Sequence, residues 1–371
     1  MDPSYRIEDT HAIISPALIL YKDLMEANFD RMLTIARSAS RLRPHCKTHK
    51  MPQVTKLELA RGIDKHKCAT FAEAEMLAVA GAPDVFLSYN LVGPNITRAV
   101  AFRQKFPGVT LRVQADHPGP IAELGKAMSA AGQTVDVLID LDVGQHRTGV
   151  EPGPHAKEVY QAIASTKGLT AGGFHVYDGH QHQKSRAERA AAIDAEWAKV
   201  VALRDDCVRS GLPVPRIVCG GTGSFPIYAE KEDPTIELSP GTCVFNDAGY
   251  SESFPDLVFQ PAVAILTRVI SRPSPDRMTL DLGYKAVASD PPAGKRLTVL
   301  DLSDAEQVLQ NEEHLVLRTP RAEDYEPGAE LYAIPRHICP SIALHKQVFV
   351  VSQGKVVDRW DVVARDRWLT I

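Results

Sequence analysis

The sequence predicts a (β/α)8 barrel joined to a second, mostly β domain. Strand-like and helix-like stretches alternate over the first two-thirds of the chain, and the helical pattern nearly vanishes after about residue 250. Repeated βα units indicate a parallel sheet, and eight such units over about 200 residues fit a closed barrel. An open, doubly wound sheet is the alternative, because a sequence pattern does not reveal closure.

The barrel strands are predicted from short apolar or β-branched runs. They cover residues 43–47, 67–71, 85–89, 110–116, 135–142, 171–178, 216–221 and 234–241. Two of the connections carry clear helical spacing, residues 71–81 and 187–211, and each ends in a glycine that favours a helix stop. We therefore assign residues 22–250 to the barrel.

The second domain is predicted from runs separated by Pro, Gly and Asp turns. These runs cover residues 257–272, 277–284, 295–302, 313–319, 330–344, 346–360 and 361–371. A hairpin is expected to turn near Gln353 and Gly354. The strand-like residues 15–23 precede the barrel pattern and are expected to pair here, so the second domain comprises residues 1–21 plus 251–371.

Composition excludes several classes of function. A net charge of −4 and a pI near 6.4 argue against nucleic-acid binding. Apolar runs stay short of the roughly 20 residues that a transmembrane helix needs, and the first residues lack the layout of a signal peptide. The six cysteines include no CxxC pair, which favours free thiols. We expect a cytoplasmic protein without a membrane or nucleic-acid partner.

The stretch RPHCKTHK at residues 43–50 raises the question of a reactive lysine. Alternation along a strand points Arg43, His45 and Lys47 to one face. If that face is the barrel interior, Lys47 is costly to bury unless it is used. A desolvated lysine is a nucleophilic amine that can form a Schiff base. The alternative is an ordinary loop lysine at the end of a strand.

Two glycine-rich loops predict an anion site. CGGTGSFP at residues 219–226 follows the seventh strand, and SPGTCVFND at residues 239–247 follows the eighth. Free backbone N–H groups in such loops surround phosphate, and barrels commonly bind phosphate after these two strands. A pair of tight turns is the alternative interpretation.

Three further polar groups are candidates for chemistry. His337 and Cys339 share a face if they lie on a strand, and imidazole with thiolate favours zinc or a similar cation. The alternative is a buried cysteine beside a surface histidine. HVYDGHQH at residues 175–182 fits proton transfer or metal binding, and Arg147 can bind an anionic oxygen. Solvated polar loops are the alternative for both.

Together these segments resemble the D-threonine aldolase and D-serine dehydratase family of pyridoxal-phosphate enzymes, which have the alanine-racemase-like fold. The resemblance spans nearly the whole chain. It rests on RPHCKTHK, CATFAEAEMLAVAG, DVGQHRTGV, GGTGS, PGTCVFND and PRHICPSIALH. In that family the first lysine of the K-T-H-K run forms the internal aldimine, which implies Lys47 and not Lys50.

The resemblance also implies roles for other residues. Arg147 is similar to the arginine that binds the phenolic oxygen of the cofactor, and Tyr177 to the tyrosine that faces the ring nitrogen. His337 and Cys339 match the pair that binds a divalent metal, zinc or manganese. His180 or His182 is implied as the base. The implied phosphate cup consists of Gly221, Thr222, Gly223, Ser224, Gly241 and Thr242.

The implied activity is a lyase reaction on D-β-hydroxy amino acids in a homodimer. The first expectation is a D-threonine aldolase, which cleaves its substrate to glycine and an aldehyde. The runner-up is a D-serine or D-threo-3-hydroxyaspartate dehydratase, because dehydratases of the family have cysteine at the position of Cys339. A non-catalytic pyridoxal-phosphate-binding protein needs neither the β domain nor this pair. Without the resemblance, a metal-only barrel hydrolase is the preferred interpretation.

Overall fold

The computed structural model describes residues 2–371, which form two compact units. The β unit comprises residues 1–32, 48–51 and 242–365, and the barrel unit comprises residues 33–47, 52–241 and 366–371. The strands are β1 (Ala17–Tyr21), β2 (Lys65–Cys68), β3 (Asp84–Asn90), β4 (Thr110–Ala115), β5 (Val135–Leu141), β6 (Leu169–Val176), β7 (Ile217–Cys219), β8 (Ile236–Leu238), β9 (Val263–Ser274), β10 (Arg277–Leu280), β11 (Leu297–Val299), β12 (Glu306–Gln310), β13 (Leu315–Arg318), β14 (Glu330–Pro335), β15 (Gln347–Ser352) and β16 (Lys355–Asp361). The helices are α1 (Lys22–Ala36), α2 (Pro52–Ala60), α3 (Phe71–Ala80), α4 (Pro94–Lys105), α5 (Pro118–Ala130), α6 (Pro154–Ser165), α7 (Arg186–Arg209), α8 (Phe225–Ala229), α9 (Ala248–Ser253) and α10 (Ile338–Leu344).

The barrel unit is a parallel sheet that closes on itself. Strands β2 to β8 pair in chain order. Residues 42–46 close the ring, because Leu42 bridges Leu238 of β8 and His45 bridges Lys67 of β2, both in parallel. The predicted (β/α)8 barrel is therefore confirmed, and the open doubly wound alternative is wrong.

Local signals explain the best-defined barrel helix. The Thr70 side chain caps α3 by accepting a hydrogen bond from the backbone N–H of Glu73 at 3.1 Å. Gly81 ends the helix with a φ of 101°, a left-handed conformation that glycine adopts at little cost. The predicted helix over residues 71–81 is confirmed, and so is the long helix over 187–211, observed as α7.

One end of the barrel interior is held by a buried ion-pair cluster. Arg43 is fully buried and contacts Glu237 at 2.6 Å and Asp84 at 2.8 Å. Lys65 also contacts Glu237, at 3.2 Å. These pairs leave little charge uncompensated, since each buried cation faces a carboxylate. Arg43 belongs to the closing segment at residues 42–46, and Lys47 follows this segment in a turn.

The β unit is built on one nine-stranded sheet. Strand β1 pairs in parallel with β15 and antiparallel with β9, so the expected pairing of the opening strand with this unit is confirmed. Strands β15 and β16 form the predicted hairpin. Its turn has positive φ at Gln353 (49°) and Gly354 (76°), which matches the right-handed twist of the two strands.

Two expectations for the β unit are wrong, and one strand was not predicted. Residues 330–344 are not one extended strand, because β14 ends at Pro335 and α10 begins at Ile338. The strand expected over residues 361–371 is absent beyond Asp361, where β16 ends; a short 3-10 turn covers Val363–Arg365, and Thr370 and Ile371 bind Glu75 of α3 within the barrel unit. Strand β12 was not anticipated, since its residues are mostly polar and half-exposed.

Among residues 2–371, no helix is both long enough and apolar enough to cross a membrane.

Candidate active site

A cavity of about 530 Å³ lies in the barrel unit where the parallel strands end. Side chains that follow or terminate these strands line it, as in other barrels of this architecture. They are His45, Lys47, Lys67, Ala69, Ser88, Tyr89, Asn90, Val92, Gln114, Arg147, Thr148, His175 and Tyr177. The cavity therefore brings together three of the predicted cofactor residues, Lys47, Arg147 and Tyr177.

The ring of Tyr177 is the centre of a cationic group. Arg147 lies 5.0 Å from the ring centroid by its guanidinium carbon, and the Lys47 Nζ atom lies 5.9 Å away. A third cation, Lys67, lies 5.7 Å from the same centroid by its Nζ atom. Such distances allow attraction between each cation and the aromatic face. Three cations around one cavity favour an anionic ligand.

The two predicted glycine-rich loops meet beside this ring. A Cβ atom added at Gly221 would lie 3.2 Å from Cε2 of Tyr177, so the loop after β7 packs against the tyrosine. The backbone N–H of Gly241, in the loop after β8, donates to the Thr222 hydroxyl at 3.3 Å. The Ser224 hydroxyl accepts from the Gly221 N–H at 3.0 Å and donates to Asp178 at 2.7 Å. The hydroxyls of Thr222 and Ser224 thus order the loops.

The sequence analysis missed a buried chain of three side chains in the same barrel. The Lys67 Nζ atom lies 2.8 Å from Nε2 of His175, and Nδ1 of His175 lies 2.7 Å from Asp140. Each of the three residues is only 3% exposed. Asp140 also accepts hydrogen bonds from Gln114 at 3.0 Å and Thr148 at 2.7 Å.

Burial controls the protonation of this chain. It lowers the pKa of Lys67 to about 7, and repulsion from Lys47 acts in the same direction. Burial also lowers the pKa of His175 to about 4, again with a contribution from the nearby Lys67. Burial alone would raise the pKa of Asp140, but the hydrogen bond from His175 and its neighbours outweigh that effect and lower it. His175 is therefore neutral at pH 7 and Asp140 is ionised.

Two acceptors in the lining of the cavity are buried and unpaired, which leaves them available to a polar ligand. Asn90 Oδ1 and Gln114 Oε1 are buried and have no hydrogen-bond partner among residues 2–371. Buried polar atoms without a partner are rare in folded proteins and commonly indicate a missing ligand or water. These acceptors, the volume of the cavity, Lys47 and the glycine-rich loops together fit a phosphorylated aldehyde cofactor.

The two predicted base histidines differ in their surroundings. His180 is half-buried, and its Nε2 lies 2.8 Å from Glu196. A Cβ atom added at Gly144, which has a φ of 127°, would lie 2.7 Å from this Nε2 atom. His182 is exposed. The structure thus holds His180 in one orientation. The histidines that line the cavity, however, are His45 and His175.

The predicted metal pair lies in the β unit. His337 precedes α10 and Cys339 lies in its first turn, so the expectation of two side chains sharing one face of a strand is wrong. The pair still converges: burial alone would lower the pKa of His337, but the nearby Cys339 and Asp290 raise it to about 9. His337 also contacts Asp290 through Nδ1 at 2.5 Å. The Cys339 thiol lies 3.2 Å from the Thr48 hydroxyl and 3.5 Å from that of Thr242, one of the predicted phosphate-binding residues.

This donor set fits a divalent cation. Imidazole and thiolate are ligands that zinc accepts, and a carboxylate on the second ring nitrogen is the usual way to orient a ligating histidine. With Nδ1 held by Asp290, Nε2 is the ring nitrogen left for an ion. Among residues 2–371, a separate group of three potential ligand atoms lies in the barrel unit, within 4.8 Å of one another, on His45, Cys46 and Glu73.

Two family models match this chain. The model described as alanine racemase, N-terminal domain, matches residues 21–248, and the model described as putative serine dehydratase domain matches residues 262–351. A D-threonine aldolase from an Arthrobacter species is 32% identical over 372 residues, covering 98% of this chain and 94% of that protein. The chain belongs to the D-threonine aldolase and D-serine dehydratase family.

Two solved structures of this family agree with the fold. The crystal structure of D-threonine aldolase from Filomicrobium marinum matches with a TM-score of 0.87 and 31% identity, covering 95% of this chain and 96% of that one. D-threo-3-hydroxyaspartate dehydratase from a Delftia species matches with a TM-score of 0.83 and 22% identity, covering 94% of this chain and 97% of that one. The second likeness supports the fold alone. The chain therefore has the alanine-racemase-like fold and, as a member of a family of lyases, is a lyase.

Proposed function

We propose that this protein is a pyridoxal-phosphate- and metal-dependent lyase of D-β-hydroxy amino acids, and that it acts as a D-threonine aldolase. The observation that carries the proposal is the meeting of Lys47, Arg147 and Tyr177 around one cavity at the strand ends of the barrel. The similarity to a D-threonine aldolase over 98% of the chain supports the choice of reaction.

Different residues around the cavity would hold different parts of the cofactor. Lys47 would hold its aldehyde carbon, Arg147 its phenolic oxygen and Tyr177 its ring nitrogen. The loops after β7 and β8 would hold the phosphate, in a cup formed by Gly221, Thr222, Gly223, Ser224, Gly241 and Thr242. When bound, pyridoxal phosphate withdraws electrons from the bonds at the substrate α carbon. A hydroxyl at the ring nitrogen, in place of a carboxylate, would leave the pyridine less electron-withdrawing.

His337 and Cys339 are proposed to hold zinc or manganese. When bound, the metal acts as a Lewis acid that lowers the pKa of a coordinated hydroxyl. Asp290 contacts the other nitrogen of His337 and keeps the ring oriented. The barrel unit would carry the cofactor, as we expect for residues 22–250. The β unit would carry the metal pair, as we expect for residues 1–21 plus 251–371.

His180 is the better candidate for the base that takes the proton of the β-hydroxyl. If its Nε2–H donates to Glu196, its Nδ1 atom is left as the proton acceptor, and that atom has no partner among residues 2–371. The carboxylate of Glu196 would stabilise the imidazolium after proton transfer. His182, which is exposed, has no such support.

The direct test uses purified protein, pyridoxal phosphate and a panel of divalent metals. D-threonine, D-serine and D-threo-3-hydroxyaspartate are offered separately, and glycine, aldehyde, keto acid and ammonia are assayed separately. Glycine and acetaldehyde in equal amounts from D-threonine are expected. Ammonia and keto acid without glycine would contradict aldol cleavage, and no product from any substrate would contradict the lyase proposal.

Dehydration is the second candidate, and Cys339 is the observation that favours it. The serine dehydratase family model covers this residue, and the resemblance associates cysteine here with the dehydratases. In that reaction Lys47 would take the α proton, and the metal would assist departure of the hydroxyl group. The product assay distinguishes the two reactions directly. A homodimer and a cytoplasmic location remain predictions, for which mass measurement in solution and cell fractionation are the tests.

A further inference from the structure

Lys67 has no role in the function proposed above, yet it is the most deeply buried cation of the cavity. It lies on β2, only 3% exposed, and its Nζ atom is 5.7 Å from the Tyr177 ring centroid. A lysine inside a barrel carries a large desolvation cost when charged. The stretch KHKC that forms β2 therefore holds a feature that packing alone does not explain.

The hydrogen-bond chain behind Lys67 fixes which of its atoms face the cavity. Asp140 is ionised and accepts from Nδ1–H of the neutral His175, so Nε2 of His175 carries a lone pair. Nε2 can then only accept, and Lys67 donates to it across 2.8 Å. One N–H of Lys67 is used in this way, and the rest of the amino group is left for the cavity that it lines.

The charges around Lys67 favour an oxyanion as the ligand. Lys47 and Arg147 lie over the same tyrosine ring, so positive charge dominates the cavity wall. The only carboxylate of the chain behind Lys67, Asp140, is already occupied by His175, Gln114 and Thr148. The ionisable groups that face Lys67 from the neighbouring strands are Lys47, Asp140, Arg147, His175 and Cys219.

We propose that Lys67 is an oxyanion-binding residue of the cavity, positioned by His175 and Asp140. The inference rests on the proposed function, because it concerns the ligands of that same site. Two oxyanions are compatible with this chemistry, the phenolate oxygen of the cofactor and the α-carboxylate of the amino acid. Lys67 binds one of them by a charge-assisted hydrogen bond, and the other contacts of Lys67 keep its amino group pointed at that oxygen.

Proton uptake is the property that separates this role from a structural one. Without a bound anion, burial lowers the pKa of Lys67 to about 7, so the Lys67 side chain is neutral in most protein molecules at pH 8. An anion at 3 Å or less would favour the ammonium form, so binding of that anion would be accompanied by uptake of a proton. A residue that only fills space would not change the proton balance of binding.

The experiment compares wild type with Lys67→Met, Lys67→Arg and the control Lys65→Met. Lys65 lies on the same strand and face but contacts Glu237 outside the cavity. Pyridoxal phosphate binding is measured by absorbance and by calorimetry in two buffers of different ionisation enthalpy at pH 8. The KM and kcat for D-threonine, and the Kd for D-alanine, which has the α-carboxylate but no β-hydroxyl to cleave, are measured on cofactor-saturated protein. Circular dichroism checks that each variant is folded.

The two sources of the oxyanion give different results. If the phenolate is the ligand, Lys67→Met weakens pyridoxal phosphate about tenfold or more, lowers the number of protons taken up on binding, as read from the buffer dependence of the binding heat, and leaves the D-alanine Kd unchanged. If the carboxylate is the ligand, cofactor binding is unchanged, whereas KM and the D-alanine Kd rise about tenfold or more. Lys67→Arg recovers part of the loss in either case.

Unchanged cofactor and D-alanine binding in folded Lys67→Met would overturn the proposal, as would equal losses in Lys65→Met. Failure of the lyase proposal has a different signature. There the wild type gives no product from any hydroxy amino acid, while the binding measurements on Lys67 variants still report on the oxyanion.

Discussion

Lys67 donates to Nε2 of His175 across 2.8 Å inside the closed barrel, where the lysine is only 3% exposed. Its pKa is about 7 in the folded protein against 10.5 for an unperturbed lysine. Between these two values the unfolded chain binds more protons than the folded one, so the free energy of unfolding increases as pH rises through this window. Below pH 7 both states are protonated, and the full cost of the buried charge is present.

The first prediction follows from that sign. Lys67→Met removes the titrating group. The free energy of unfolding of the variant minus that of wild type is therefore larger at pH 7 than at pH 10. We expect the difference between the two pH values to be about 2 kcal/mol, less than the full value of 1.4 kcal/mol per pKa unit because water and side chains relax around the charge. Urea unfolding of the cofactor-free protein at both pH values measures it. Parallel pH dependence in the two proteins would show that Lys67 does not titrate in this range.

The second prediction concerns the lysine that holds the cofactor. Lys47 lines the cavity, whereas the Lys50 Nζ atom contacts the backbone oxygen of Ala364 at 3.3 Å within the β unit. Lys47→Ala should lose the visible absorbance of an imine, and its cofactor should wash out after borohydride treatment. Lys50→Ala should keep the absorbance and retain the cofactor covalently after reduction. The opposite pattern would transfer the covalent role to Lys50.

How far the sequence predicts this molecule depends on the kind of signal. The seven barrel strands and the closing segment at residues 42–46 were predictable, because most of them are short apolar or β-branched runs bounded by helical or turn residues. Lys47, Arg147 and Tyr177 were predictable only through the resemblance, since spacing does not show that three distant segments meet. The Lys67–His175–Asp140 chain was missed, although two lysines at alternate positions of the buried strand β2 were a usable signal. The region of His337 and Cys339 was assigned to a strand because apolar residues continue past Pro335, where the chain in fact turns into α10.

The third prediction tests His180 through Gly144, a glycine whose backbone lies close to the His180 ring. Gly144 has a φ of 127°, and a Cβ atom there would come within 2.7 Å of the His180 ring. Gly144→Ala should therefore displace the imidazole and lower kcat for D-threonine at least tenfold, in the same direction as His180→Ala. Gly211→Ala is the matched control, since Gly211 also has a positive φ, 78°, but its added Cβ would meet nothing within 4 Å. The control should lose about 1 kcal/mol of stability and keep its kcat.

His182→Ala completes that comparison. Its side chain is exposed, so its removal should change kcat less than threefold. A large loss in His182→Ala together with an active Gly144→Ala would assign the base to His182 instead.

The fourth prediction concerns the metal pair. Cys339→Ala removes the thiolate and should abolish stoichiometric zinc or manganese binding, measured by elemental analysis after dialysis, because imidazole alone is a weak site. Turnover should fall with the metal content, while the imine absorbance stays as in wild type, since Lys47 is unchanged. Asp290→Ala should weaken the metal about 10- to 100-fold through loss of the contact to Nδ1 of His337. Cys207→Ala, a buried thiol on α7 in the barrel unit, is the control and should keep its metal. Full activity of Cys339→Ala in the presence of EDTA would show that the reaction proceeds without this site.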